Sequence, residues 1–526
     1  MNGHLQFVLH AHLPYIRHPE HPYHLEENWL FEAILETYLP LLEVFEGLER
    51  DRVPGRMTIS MSQPLMAMLD DELLRDRFVR HAERLIELAT REVARNAGDD
   101  AFEPLAHYYL ERLDRLRRLY LRHERDLVGA FAALHARGRV ELATCVGTHG
   151  FLPLMLLPSS RRGQILTAAE AFERRCGFAT RGMWMGECAF TPGVERDLAD
   201  AGVRFSFVDS HALEFASSRP LNGLFAPVVS PAGTAFFARD PESSAQVWSS
   251  HEGYPGDFNY REYYRDVGFD LPLDYIRPYI HPDGIRVNTG LKYHRITQRG
   301  SDHREPYQPD VAHATARSHA RHFVECRHRQ LAWAAQRCSV VPVVTCPYDA
   351  ELFGHWWFEG PLFLDAVFRE LAASDQVVAT SPTDYLATNP VQQEALPSAS
   401  SWGEAGYFSV WLNPGNAWIY PLLHRAEERV AAAVNARVEE PAWRPVLQQL
   451  VRELLLAQAS DWAFIIKTGT TVGYAEARTR SHLDHIDRLC DRIEASDLEG
   501  AASLAAPWFE AMPLFSDVEP RHWRSP

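Results

Sequence analysis

Eight short apolar runs recur along this chain, each closing on a polar residue or a turn, with helical periodicity between most of them. They lie at residues 5–9, 57–61, 140–145, 182–185, 205–208, 235–238, 285–288 and 340–345. The runs are too short to be helices and are rich in β-branched and aromatic residues. Strands of this kind are covered on both faces, and strands that alternate with helices pair in parallel. The pattern therefore predicts an α/β fold with a parallel sheet, closed into a barrel. A chain of 526 residues is long enough for such a barrel and further domains.

Two segments break the rhythm. Residues 66–137 read as an inserted helical subdomain between two barrel strands. From 396 to 526 the chain reads as a C-terminal all-α domain, with helical periods over 426–436, 446–459 and 474–493, which leaves 1–395 as the barrel domain.

Composition narrows the partners. Lys+Arg number 53 against 70 Asp+Glu, a net charge of -17. Nucleic acid and anionic membrane surfaces both need a cationic footprint, so neither is expected and a neutral ligand fits better. No run of about 18 apolar residues predicts a membrane span. The N-terminus lacks the basic region and cleavage site of a signal peptide. Seven scattered cysteines without a Cys-x-x-Cys suggest a reduced, cytoplasmic protein with no disulfide framework.

In an α/β barrel the reactive groups stand where strands end. The strand ends here carry His10 and His12; His149; Trp184 and Glu187; Asp209 and His211; and Asp349, Glu351, His355, Trp356 and Trp357. Two chemistries compete for them. His10-Ala-His12 with later His and Asp residues resembles metal-hydrolase ligation, but no cluster supplies an obvious third ligand, so no metal is expected. The alternative uses Glu187 and Asp349 as a pair facing one pocket. Glycoside cleavage needs a nucleophile and a proton donor, about 5–5.5 Å apart when the configuration is retained. The donor must hold its proton near neutral pH, so its surroundings have to raise its pKa. Indoles that could stack on sugar rings are abundant: Trp29, Trp184, Trp248, Trp356, Trp357, Trp402, Trp411 and Trp462. For any one of them, core packing is the competing reading. For Glu351 and Glu359, hydrogen bonding or surface exposure is expected rather than catalysis.

In their order, these strand ends resemble glycoside hydrolase family 57 over nearly the whole chain. The motifs are His10-Ala-His-Leu-Pro-Tyr15, Thr148-His-Gly-Phe-Leu-Pro153, Trp184-Met-Gly-Glu187 and Asp349-Ala-Glu-Leu-Phe-Gly-His-Trp-Trp357. Within the family the chain is most similar to the 1,4-α-glucan branching enzyme group, through Arg239-Asp-Pro-Glu-Ser-Ser, Gln246-Val-Trp-Ser, Tyr254-Pro-Gly, Ser401-Trp-Gly, Val410-Trp-Leu-Asn and Ser460-Asp-Trp-Ala-Phe. The resemblance implies an incomplete TIM-like (β/α)7 barrel, an inserted helical domain, and a C-terminal helical domain that closes over the cleft. It implies a retaining double displacement without cofactor or metal, with Glu187 as nucleophile and Asp349 as acid/base, acting on an α-1,4-glucan. By motif, His10, His12, His149, Arg261, Gly290, Trp402 and Asp461 would contact sugar, although Asp461 also reads as an N-cap. The related readings are an α-amylase-type hydrolase or 4-α-glucanotransferase using the same site, and a glycan-binding protein without catalysis.

Three positions depart from the family pattern. Gly186 stands where many relatives have Pro or Ala. Thr470 stands where branching enzymes often have Gln, which shortens one sugar contact. The stretch matched to a loop whose Tyr shields the intermediate reads Arg219-Pro-Leu-Asn-Gly223 and has no Tyr. Loss of that shield should favour water as acceptor.

Overall fold

The computed structural model describes residues 2–249, 252–298 and 300–525. Seven of the eight apolar runs contain parallel strands that close a ring: β1 (Gly3–Ala11), β2 (Met57–Met61), β3 (Val140–Cys145), β4 (Met183–Trp184), β5 (Phe205–Val208), β6 (Ala235–Ala238) and β7 (Val343–Asp349). β1 to β4 pair in succession, β5 pairs with β6, and β7 returns to β1. Parallel bridges from Gly182 to Phe205 and from Arg239 to Thr345 join the two sheets. The ring is thus a seven-stranded (β/α) barrel with weak seams on either side of the β5–β6 pair.

Alternation along β1 shows how the ring is held. Leu5, Phe7 and Leu9 join the larger apolar core, and the Phe7 ring packs on Phe323 and Phe368 of the helices Pro309–Ala335 and Gly360–Ala372. Each such side chain, fully buried, contributes about 1.5–3 kcal/mol. Gln6 and His10 belong to the opposite face: Gln6 accepts from Thr345, and His10 stands in register with Ser60 and Asp349. Period two thus carries polar side chains to the inner face at the C-terminal end of the barrel.

The run at 285–288 is not a strand. It lies in a long, mostly irregular excursion between β6 and β7, with Ile285 47% exposed. Buried Asp266 accepts from the amides of Gly268, Thr289 and Gly290. The amides immediately after the run are thus spent on a carboxylate and not on a neighbouring strand.

The insertion between β2 and β3 forms the helices Gln63–Asp70, Glu72–Arg95, Glu103–Arg122 and Leu127–Ala136, with Ser62, Asp71 and Asp126 accepting from backbone amides as N-caps. Beyond residue 396 the chain is not helical at once. Residues 401–418 turn irregularly before the helices Ile419–Arg437, Arg444–Ala457, Ser460–Thr468, Val472–Glu494 and Leu498–Ala511. Val430, Leu450 and Ile486 of these helices share one apolar core with Leu5 and Phe7 of β1. The C-terminal helices are thus packed into the barrel's core. No described helix is long and apolar enough to cross a membrane, and all seven cysteines are free.

Candidate active site

Glu187 follows β4 in a tight turn, Gly186–Cys188, with φ 64° and ψ 29°. A side chain in this left-handed region costs roughly 1–2 kcal/mol and persists only where its surroundings impose it. The surroundings here are explicit. Trp402 Nε1 donates to Glu187 Oε2 at 2.9 Å, Ser460 Oγ donates to Oε1 at 3.1 Å, and the Trp402 amide donates to the Glu187 carbonyl. A Cβ at Gly186 would stand 2.8 Å from the carbonyl oxygens of His149 and Gly150. Glycine at 186 is therefore what lets this turn approach the loop after β3.

Behind Glu187 lies a relay of imidazoles. His149 Nδ1 is 2.8 Å from Ser460 Oγ, and its Nε2 is 2.9 Å from Nε2 of His10. Burial holds both rings well below the ordinary histidine pKa. With both neutral, His10 donates to His149, and His149 donates to the Ser460 hydroxyl that in turn donates to Glu187. His12 differs. Burial opposes its charge, but Asp461, with Glu187 and Glu351, raises its pKa, and its Nε2 is 3.0 Å from Asp461. Asp461 is therefore a partner of His12; the N-cap position of its helix belongs to Ala459.

Asp349 ends β7 beside His10 in the sheet register. Among the described residues its carboxyl group has no hydrogen-bond partner. Burial first, then the charges of Glu351 and Glu187, push its pKa well above the usual carboxylate range, and Arg239 opposes them. Glu351 accepts from Tyr38 Oη and from the His12 amide, matching the hydrogen-bonding role expected of it. Burial also raises Glu187, to about 7, with the Trp402 bond pulling the other way. The charge of Glu187 raises the proton affinity of Asp349, so the two titrations are coupled.

Several other expected sugar contacts lie elsewhere. Trp184 is buried and stacks on His10, Trp357 is buried among Tyr260, Phe353 and Phe363, and Trp411 is buried against Phe151. Closed off from solvent, these three indoles support the site and do not face a ligand, which corrects their reading as sugar contacts. Arg261 is also buried: it donates to Glu36 and to the Gly290 carbonyl and lies over the Phe358 ring. With His355, which pairs with Glu36 at 2.7 Å, it forms a second cluster around the π-helical turn Ile34–Tyr38. Trp29 is half-buried against Tyr474, Trp356 is 58% exposed, and Thr470 is exposed just past the helix Ser460–Thr468. Asp209 pairs with Arg239 at 3.2 Å.

The stretch Arg219–Gly223 lies far from Glu187. Asn222 accepts from the amide of Ser339, before the start of β7, and Leu221 donates to Gln393. It sits at the N-terminal end of β7, whereas Asp349 is at the C-terminal end, so in this structure it cannot shield the nucleophile. Sequence reasoning missed Ser460, Tyr38 and Arg239. Arg239 and Ser460 open motifs that carry the resemblance but were given no role there, and Tyr38 had no signal.

A parallel barrel that gathers two partly buried acids, imidazoles and indoles at the C-terminal ends of its strands is the framework of a carbohydrate-active enzyme. The chain belongs to glycosyl hydrolase family 57, whose model matches residues 6–329; residues 422–523 match the model described as 1,4-alpha-glucan branching enzyme, C-terminal. It is 33% identical to a 1,4-alpha-glucan branching enzyme of Thermococcus kodakarensis, over 94% of this chain and 74% of that one. A crystal structure of a family 57 branching enzyme from the same archaeon, with glucose, superposes at a TM-score of 0.88, with 31% identity and coverage of 100% and 97%. The structure described as the novel alpha-amylase AmyC of Thermotoga maritima superposes at 0.93, with 39% identity and full coverage of both chains.

Proposed function

We propose that this protein is a retaining 1,4-α-glucan branching enzyme. A Glu187 oxygen attacks C1 of a glucosyl unit, the C1–O4 bond breaks, and Asp349 gives its proton to the departing O4. The oxygen of a glucan 6-hydroxyl then attacks C1 of the resulting ester. The ester bond breaks, Glu187 is regenerated as carboxylate, and the hydroxyl proton passes to Asp349. The observation that carries this reading is the asymmetry of the pair. Trp402 and Ser460 hold Glu187 by both oxygens, while Asp349 has no described partner and a strongly raised proton affinity. One acid is thus oriented as a nucleophile and the other kept as a donor.

A hydrolase reading has its own support in the likeness to AmyC. Amylose separates the two. New isoamylase-sensitive side chains and falling iodine staining, without many new reducing ends, mean branching; reducing ends without side chains mean hydrolysis and remove the proposal.

A further inference from the structure

Away from the acid pair, the C-terminal helices bury a second set of imidazoles. Glu453 lies on the helix Arg444–Ala457, and His482 and His485 lie three residues apart on Val472–Glu494. The side chains of Glu453 and His482 are 3% and 2% exposed, and that of His485 is 20% exposed. Both rings turn Nδ1 towards the same carboxylate. His482 Nδ1 donates to Oε2 at 2.6 Å, while His485 Nδ1 lies 3.2 Å from Oε1. The second contact is off the line of a hydrogen bond, so His485 Nδ1, shut away from solvent, has no such partner among the described residues. Gln449, one turn before Glu453 and itself held by Arg452, donates to Oε1 at 2.6 Å. The His485 ring is stacked 3.7 Å from that of Trp508 on the last helix, Leu498–Ala511. The three ligand atoms lie within 4.8 Å of one another, and the transfer chemistry uses none of them.

We propose that Glu453, His482 and His485 bind one divalent transition-metal ion of the zinc type, which fastens their two helices together and takes no part in the glucan chemistry. Two imidazoles and a carboxylate suit such an ion, whereas Mg²⁺ and Ca²⁺ call for more oxygens. Ligand atoms of a tetrahedral site stand about 3.3 Å apart, close to the separation of His485 Nδ1 from Oε1. The His482 contact, held short by its proton, opens by about 0.7 Å. Gln449 is the outer partner that orients the carboxylate. The partly exposed edge of His485 gives the ion its entry and a fourth position for water. Binding moves the His482 proton from Nδ1 to Nε2. Arg478, whose Nη2 is 3.2 Å from Nε2, then gives up that contact and keeps its bond to the Tyr474 hydroxyl. The helix bearing Glu453 leads into Ser460, so the ion braces the support of the Ser460 contact to Glu187.

The test uses the full chain, stripped with EDTA and dialysed. Zn²⁺ is titrated by calorimetry into the parent and into His485→Phe, which keeps the stack on Trp508 and removes the ligand atom. The variant should bind one equivalent less than the parent, or bind that equivalent at least about tenfold more weakly. Its zinc-dependent rise in melting temperature should shrink with it, since an ion held only by the folded state stabilises that state. Zinc taken up by the imidazoles beside Glu187 is common to both proteins and cancels in the comparison. Equal stoichiometry and affinity in the two proteins overturn the site, and so does an equal response of the parent to Mg²⁺. If His485→Phe does not fold, His485→Ala is read in the same way.

Discussion

Glu187 occupies a backbone region that its residue type disfavours, in a site that disfavours its charge. Its pKa is about 7, above the ordinary 4.5, so the folded protein binds this proton more tightly than the unfolded chain. That contribution to stability is full below about pH 4.5 and is lost as pH rises through about 7. Glu187→Gln removes the charge and should stabilise the protein at pH 8, by on the order of 2–3 kcal/mol, with the gain vanishing towards pH 4. Denaturant unfolding at the two pH values checks this. The same variant should lower turnover on amylose by at least about a thousandfold with glucan binding retained, and an unchanged rate removes the mechanism. Activity of the parent should rise with pH as the pair loses its first proton near 7 and fall as it loses the second. At Gly186, alanine should cost about 1–3 kcal/mol and disturb the Glu187 turn, seen as a lower melting temperature together with a lower kcat. The residue type at 187 was legible from its place after an apolar run. The need for glycine at 186 was not, because the atoms a Cβ would meet belong to a loop some forty residues earlier in the chain.

The irregular segment at 401–418 and the helix Ser460–Thr468 complete a site that the barrel begins. The backbone ties Ser460 N to His149 O, and Gly150 bridges to Ala459, so this helix docks on the loop after β3. Removing the indole N–H with Trp402→Phe takes away the bond that holds Glu187's pKa down. The acidic limb of the pH–rate profile should then move to higher pH, with kcat lower by roughly tenfold or more. A limb that stays in place shows that the bond does not govern ionisation. Motifs marked Trp402 and Ser460 alike, but only the docked helix gives the Ser460 hydroxyl its carboxylate partner. The run at 285–288 misled for a related reason: a short apolar stretch predicts burial, but the amides of Thr289 and Gly290 just past it turn to Asp266 and not to a neighbouring strand.

Across the whole molecule, a net charge of -17 disfavours an anionic polymer, and among the described residues the site's cations Arg239 and Arg261 are paired with Asp209 and Glu36. Glucan KM should therefore change by less than about twofold between 50 and 500 mM NaCl, in contrast to the steep salt dependence of a polyanion binder. By itself the sequence determined the barrel, the helical insertion, the late helices and the two acids, because local periodicity and strand-end chemistry are written in neighbouring residues. Only the tertiary structure decided which indoles face the cleft and which lie in the core, that His12 pairs with Asp461, and that Arg219–Gly223 lies at the far end of β7. Each of these depends on groups tens to hundreds of residues apart, brought together by packing in a shared core.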